Sequence, residues 1–189
     1  QLQKETNKLI VQEGEKGGWE GKEKYYKKGK RFEKGSDRLG NLIEKHEVFK
    51  KLISIPELLG AAKEVTQSEI KICSLNLRAP KKNFGNQKIH MDWNPRVTKK
   101  ESYAGIVCMI YLDDSKKENG ATRIIPKSHK ALGLPENHIN VEKKHKNEIR
   151  PEIKAGGVII VNLNLWHAGA DNKSGEARKM IMLNVKNRK

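Results

Sequence analysis

This sequence predicts a mainly β fold behind a helical layer, and three observations predict it. Before residue 70, apolar residues recur at helical spacing. After it come short runs rich in Ile and Val. Turn pairs such as Asn119-Gly120 and Gly156-Gly157 punctuate those runs. Helices followed by seven or so strands point to a small β-sandwich or barrel with the helices outside.

In chain order, residues 1–12 read as a weak helix, and residues 14–40 as an irregular, partly packed arm carrying Trp19, Tyr25, Tyr26 and Phe32. Leu42, Ile43, His46, Phe49, Leu52 and Ile53 follow at helical spacing. Pro56 opens a second helix whose buried face is Leu58, Leu59, Ala62 and Val65, since proline suits a first helical turn. The expected strands are 70–78, 87–93, 104–112, 121–126, 148–154, 157–166 and 179–186. Residues 127–150 hold no strong strand; a charged connection of that length is either a passive surface loop or a mobile flap over a site. A chain of 189 residues suggests one domain, with an arm over 1–69 and a core over 70–186.

Composition narrows the function. Cys73 and Cys108 lie in apolar stretches with no CxxC pair, against a disulfide framework or a zinc knuckle and for a reducing, cytoplasmic setting. No apolar run approaches the roughly 20 residues that span a bilayer, and no signal peptide is visible, although a start at Gln1 leaves an export signal open. The net charge of +16 invites a nucleic-acid reading. The basic residues are mostly dispersed lysines without interleaved aromatics, so a solvated surface is the better account and no specific nucleic-acid partner is expected. Steering of anionic substrates towards a cleft stays open.

The chemistry-bearing residues are few. On a strand, His90 and Asp92 point to the same face. Alone, this HxD is weak evidence and is better explained by a polar strand face in solvent. In the run Val161 to His167, Val161, Leu163, Leu165 and His167 alternate with Asn162, Asn164 and Trp166, so His167 belongs to the apolar face. A lone histidine there is usually a hydrogen-bonded core residue. Together, two histidines and one carboxylate match the facial triad of non-haem iron(II) oxygenases, which leaves positions open for cosubstrate and oxygen. Zinc hydrolases share such ligands but usually bring an HExxH helix, which this sequence lacks. Arg178, at the start of the following strand, suits the distal carboxylate of 2-oxoglutarate through a bidentate pair. By itself it reads better as a surface arginine in Glu176-Ala177-Arg178-Lys179.

These runs carry a resemblance. His90-Met91-Asp92-Trp93, then Glu118-Asn119-Gly120-Ala121-Thr122-Arg123-Ile124-Ile125-Pro126-Lys127-Ser128-His129, then Leu165-Trp166-His167-Ala168-Gly169 and Arg178, resemble the phytanoyl-CoA dioxygenase family across residues 70–186. The stretch Gly29–Glu33 to Asp37–Leu39 resembles the leader of bacterial members. The resemblance implies a double-stranded β-helix (jelly-roll, cupin-like), Fe(II), and oxidative decarboxylation of 2-oxoglutarate with O2 coupled to hydroxylation of a small-molecule or acyl substrate. It makes His90, Asp92 and His167 the metal ligands and Arg178 the 2-oxoglutarate anchor, with Asn76 and Thr122 as weaker pocket candidates. The family usually has glycine where Lys127 stands, which puts that turn's geometry in question. Three other readings remain: a sensor that keeps the barrel without turnover, a zinc or manganese cupin-type isomerase, which would have no use for Arg178, and a nucleic-acid demethylase of the same chemistry. Asn184 stands where DNA-repair demethylases carry a second arginine, which counts against the last.

Overall fold

The computed structural model describes residues 1–18 and 35–188. Most of the expected arm, with its four aromatics, and the Gly29–Glu33 leader lie outside the described residues. Helix α1 runs over Leu2–Glu13. The segment expected as one helix from residue 42 is broken into α2 (Leu42–Lys45), α3 (Glu47–Lys50) and a 3-10 turn (Lys51–Ser54). His46 makes the break. Its backbone is extended, and its Nδ1 accepts from Val48 N at 3.0 Å, the capping role of a polar side chain. Helix α4 (Pro56–Thr66) starts on its proline as expected.

Among the described residues, seven strands follow the order β1 (Ser36–Leu39), β2 (Ile70–Pro80), β3 (Gly105–Tyr111), β4 (Arg123–Ile124), β5 (Val158–Asn162), β6 (His167–Ala168) and β7 (Met180–Asn187). Five form an antiparallel major sheet in the order β1-β2-β7-β3-β5; β4 and β6 form a minor sheet. The architecture is a cupin-like jelly-roll. Strand β3 is buried at every position, and its alternation divides two cores. Ile106, Cys108 and Ile110 pack outward with Leu183, Phe49, Leu52, Leu58 and Ala62 of the helical layer. Val107, Met109 and Tyr111 face inward with Val161, Leu163 and Met180. The outward core stays dry enough that burial pushes the Cys108 thiol up to about 11.

Several expected strands shrink to single bridges: His90 with His167, Ile124 with Ile149, and Ser115 with Ile153. The expected strand 157–166 stops at Asn162, because Asn162 Oδ1 accepts from Asn164 N at 2.9 Å and makes an Asx turn. His167 therefore opens a strand of the other sheet rather than ending this one. The alternation read through the turn reaches the right destination by the wrong route: Val161, Leu163 and Leu165 share the inner core, while Trp166 packs on the outside of the minor sheet.

Residues 127–150 lie against the minor sheet. Ala131, Ile139 and Val141 pack against Ile89, Ile125, Trp166 and Ala168 on the minor sheet's outer face. Ile89 N donates to Val141 O at 2.9 Å. At the far end Glu148 is fully buried against Arg123, at 2.9 Å, with Arg150 at 3.2 Å. His90 and His167 follow Ile89 and Trp166 by one residue, so they face the other way, into the barrel.

Candidate metal centre

The site lies between the two sheets. His90 and His167 exchange both backbone hydrogen bonds at 2.9 Å, which sets their imidazoles side by side with centroids 4.6 Å apart. Asp92 N donates to Leu163 O at 2.9 Å, so the Asx turn after β5 also fixes the carboxylate. Asp92 Oδ1 lies 3.8 Å from His90 Nε2, and Oδ2 lies 3.6 Å from His167 Nε2. One donor atom from each residue falls within 4.8 Å of the others. Sequence spacing predicted the His90–Asp92 pairing; the tertiary fold supplies the third partner.

The donor chemistry suits a cation. His90 Nδ1 bonds Lys88 O at 2.8 Å and His167 Nδ1 bonds Leu165 O at 3.0 Å. A carbonyl only accepts, so each Nδ1 carries the proton and each Nε2 presents a lone pair. Burial first, and then the neighbouring His167, hold His90 below the usual histidine range against the opposing pull of Lys88 O and Asp92. The ring is thus neutral near pH 7, the form that binds a metal.

A cavity of about 470 Å³ opens from these residues along the inner face of the major sheet. Thr122 lines it, with its Oγ1 2.8 Å from Tyr111 Oη. Arg178 lies behind Met180 and is 1% exposed; its Nη1 is 4.0 Å from Met180 Sδ. Burial raises the Tyr111 pKa, opposed by Thr122 and then by the Arg178 charge. Arg178 is therefore no surface arginine, and a buried guanidinium next to the lining residue Met180 suits a bidentate pair with a carboxylate. Asn76 lies on the same face of β2 as the lining residues Ser74 and Arg78 and directly opposite Met182, and its Oδ1 accepts from Asn41 N at 3.2 Å. Lys127 has φ 66, so its turn does require the left-handed conformation that glycine takes most easily.

Residues 4–180 match the phytanoyl-CoA dioxygenase (PhyH) family. The chain belongs to that family. Two uncharacterized proteins, from Mycobacterium bovis and Mycobacterium tuberculosis, are each 30% identical over 78 residues, 41% of this chain and 27% of theirs. Among solved structures, HygX from Streptomyces hygroscopicus with nickel, 2-oxoglutarate and hygromycin B bound superposes with a TM-score of 0.68 at 17% identity, covering 82% of this chain and 71% of that one. EctD from S. alaskensis with bound Fe gives 0.66 at 19% identity, covering 79% and 56%. The α-ketoglutarate-dependent epimerase SnoN from nogalamycin biosynthesis gives 0.63 at 15% identity, covering 81% and 63%. These likenesses establish that this PhyH member shares their fold.

Sequence reasoning missed Arg38, Arg78 and Lys186, which also line the cavity. One signal was available. Arg78 interrupts the apolar run Leu77-Arg78-Ala79 on a strand whose ends read as buried, and a charge there calls for a partner or a role.

Proposed function

We propose that this PhyH-family chain is an Fe(II)- and 2-oxoglutarate-dependent dioxygenase that hydroxylates a small-molecule or acyl substrate, releasing succinate and CO2. The observation that carries the reading is the convergence of His90 Nε2, His167 Nε2 and an Asp92 oxygen at the wall of a cavity with Arg178 buried behind it. In this reading the three residues hold the metal on one face and leave the cavity side open. The bound iron supplies oxygen activation coupled to decarboxylation of the cosubstrate.

The chain's own residues do the rest. The Lys88 and Leu165 carbonyls fix the imidazole tautomers. Arg178 pairs with the distal carboxylate, with Thr122 and Tyr111 completing that end through their shared hydrogen bond. Val107, Met109, Met180 and Met182 form an apolar floor that limits water. Asn76, on the same face of β2 as Ser74 and Arg78, remains a weaker pocket candidate in this reading.

The test is anaerobic Fe(II) and 2-oxoglutarate binding, then succinate release with oxygen and mass analysis of the product from a substrate screen. H90A, D92A and H167A are each expected to lose metal binding by more than the roughly 10–100-fold typical of a change one shell further out. Metal binding in any of them equal to wild type would remove that residue from the centre. A product heavier by one oxygen supports hydroxylation; an isomer of unchanged mass would place the chain with epimerases such as SnoN.

A further inference from the structure

We propose that Trp93 sets the substrate class: its ring is a platform at the open end of the cavity on which a planar ring of the substrate stacks, displacing Lys186 from the face it now covers. The inference rests on the oxygenase reading above and adds to it a specificity-determining residue and the kind of group that it selects.

The position of Trp93 is the first observation. It directly follows Asp92, and the chain bends at both residues. The ring meets Lys186 of β7, whose Nζ lies 3.6 Å from the ring centroid. Lys186 lines the cavity, so the contact joins the segment that carries the metal carboxylate to the major sheet. Backbone pairing fixes the level of that contact. Lys186 stands opposite Gly105 of β3, Gly105 O accepts from Leu163 N at 3.1 Å, and Leu163 O accepts from Asp92 N at 2.9 Å. Trp93 and Lys186 are thus held in the same row of residues that fixes Asp92.

The direction of the cavity is the second observation. Met180, Met182, Asn184 and Lys186 line it from alternate positions of β7. At a strand's rise per residue, that row is roughly 20 Å long. Arg178 and Met180 at one end are buried, Lys186 at the other is half-buried, and Trp93 beside it is 41% exposed. The cosubstrate carboxylate suits the closed end. A substrate entering by the open end meets Trp93 next to Asp92.

The state of the ring is the third observation. Asn94 O, one residue on, accepts from Asn164 Nδ2 at 2.9 Å, so the backbone on both sides of Trp93 is anchored. A ring on an anchored backbone offers a flat apolar face with little left to order on binding. Trp166, by contrast, is buried on the outside of the minor sheet. Lys186 marks the accessible face: an ammonium this close to the centroid sits in the layer that a stacked ring fills. The lysine stem is flexible, so the ammonium can swing into solvent and give up that layer. A planar ring lies close against such a face at all its atoms, whereas a puckered one of the same carbon skeleton touches it at fewer.

The experiment uses Ni(II)-loaded protein saturated with 2-oxoglutarate. Two neutral probes share one carbon skeleton: planar 2-naphthol and puckered decahydro-2-naphthol. Calorimetry is expected to show 2-naphthol binding more tightly by about fivefold, the scale of an aromatic pair. W93L should abolish this preference and W93F should keep part of it, with decahydro-2-naphthol affinity unchanged in both. K186Q should bind 2-naphthol at least as tightly as wild type, because the cap no longer competes. Trp93 is exposed, so its variants should fold; thermal melting, with Ni(II) and 2-oxoglutarate titrations, checks that each is folded and loaded. Equal affinity for the two probes, binding of neither, or a preference that W93L retains would overturn the proposal while the oxygenase reading stands. So would W93F behaving like W93L, since the aromatic face would then not be what is recognised. A preference lost in K186Q as fully as in W93L would assign recognition to the ammonium and overturn it likewise. Failure of the metal-loaded wild-type protein to bind 2-oxoglutarate at all would instead remove the oxygenase reading.

Discussion

At the scale of single residues, Arg178 shows how burial changes what a side chain is for. A guanidinium that is 1% exposed loses the solvation that a surface arginine keeps. We expect R178A to weaken 2-oxoglutarate binding by about 2–5 kcal/mol while metal binding persists. R178K should recover part of it, since lysine cannot make a bidentate pair. Binding of 2-oxoglutarate to R178A at wild-type strength, measured by calorimetry, would end the anchor assignment. Lys127 is a second informative residue. Its φ of 66 places a side chain where the left-handed conformation costs roughly 1–2 kcal/mol. K127G should therefore stabilise the fold by about 0.5–1 kcal/mol once the extra chain entropy of glycine is deducted. A melting temperature unchanged or lowered would show that the lysine side chain contributes more than its backbone costs.

At the scale of elements, the minor sheet depends on the segment that covers it. Residues 127–150 carry exposed lysines, yet Ile139, Val141 and Glu148 tie them to the barrel. Burial alone would push the Glu148 carboxyl up, but Arg123 and then Arg150 outweigh it and hold it below the usual range. A depressed folded-state pKa means that this stability is present above the unfolded carboxylate range, near pH 4.3, and is lost as pH falls through the lower folded value. E148Q should destabilise the protein by about 3–5 kcal/mol near neutral pH, because it leaves Arg123 buried beside a neutral amide. The penalty should shrink as acid protonates the wild-type carboxyl. Thermal melts of both proteins from pH 7 to pH 3 measure it. A difference that stays constant over that range would show that Glu148 acts through packing rather than charge.

At the scale of the whole molecule, a net charge of +16 needs an account. Much of it is dispersed lysine, while the concentrated part lies inside the cavity as Arg38, Arg78 and Lys186. We expect duplex DNA to bind weakly, without sequence preference, and to be released between roughly 50 and 200 mM salt, as counterion release requires. Affinity that survives physiological salt in a filter or fluorescence titration would favour a nucleic-acid substrate over a small molecule. No helix among the described residues is long and apolar enough to cross a membrane.

What the sequence determined by itself was local. His90 and Asp92 are two residues apart, and Pro56 and the turn glycines act on their own backbone, so these features could be read without a partner. The mainly β core behind helices followed from periodicity, and the family from the runs around the ligands. The sequence misled where a local rule met a long-range one: the Asx turn at Asn162 ended a strand that alternation carried on to His167, and His46 divided a helix that apolar spacing kept whole. Only the tertiary structure decided which face the 127–150 segment covers, that Arg178 is buried, and that Arg38 stands opposite Arg78. Each of these depends on strand register and sheet packing, where a shift of one residue turns every side chain to the other face, so no spacing along the chain encodes it alone.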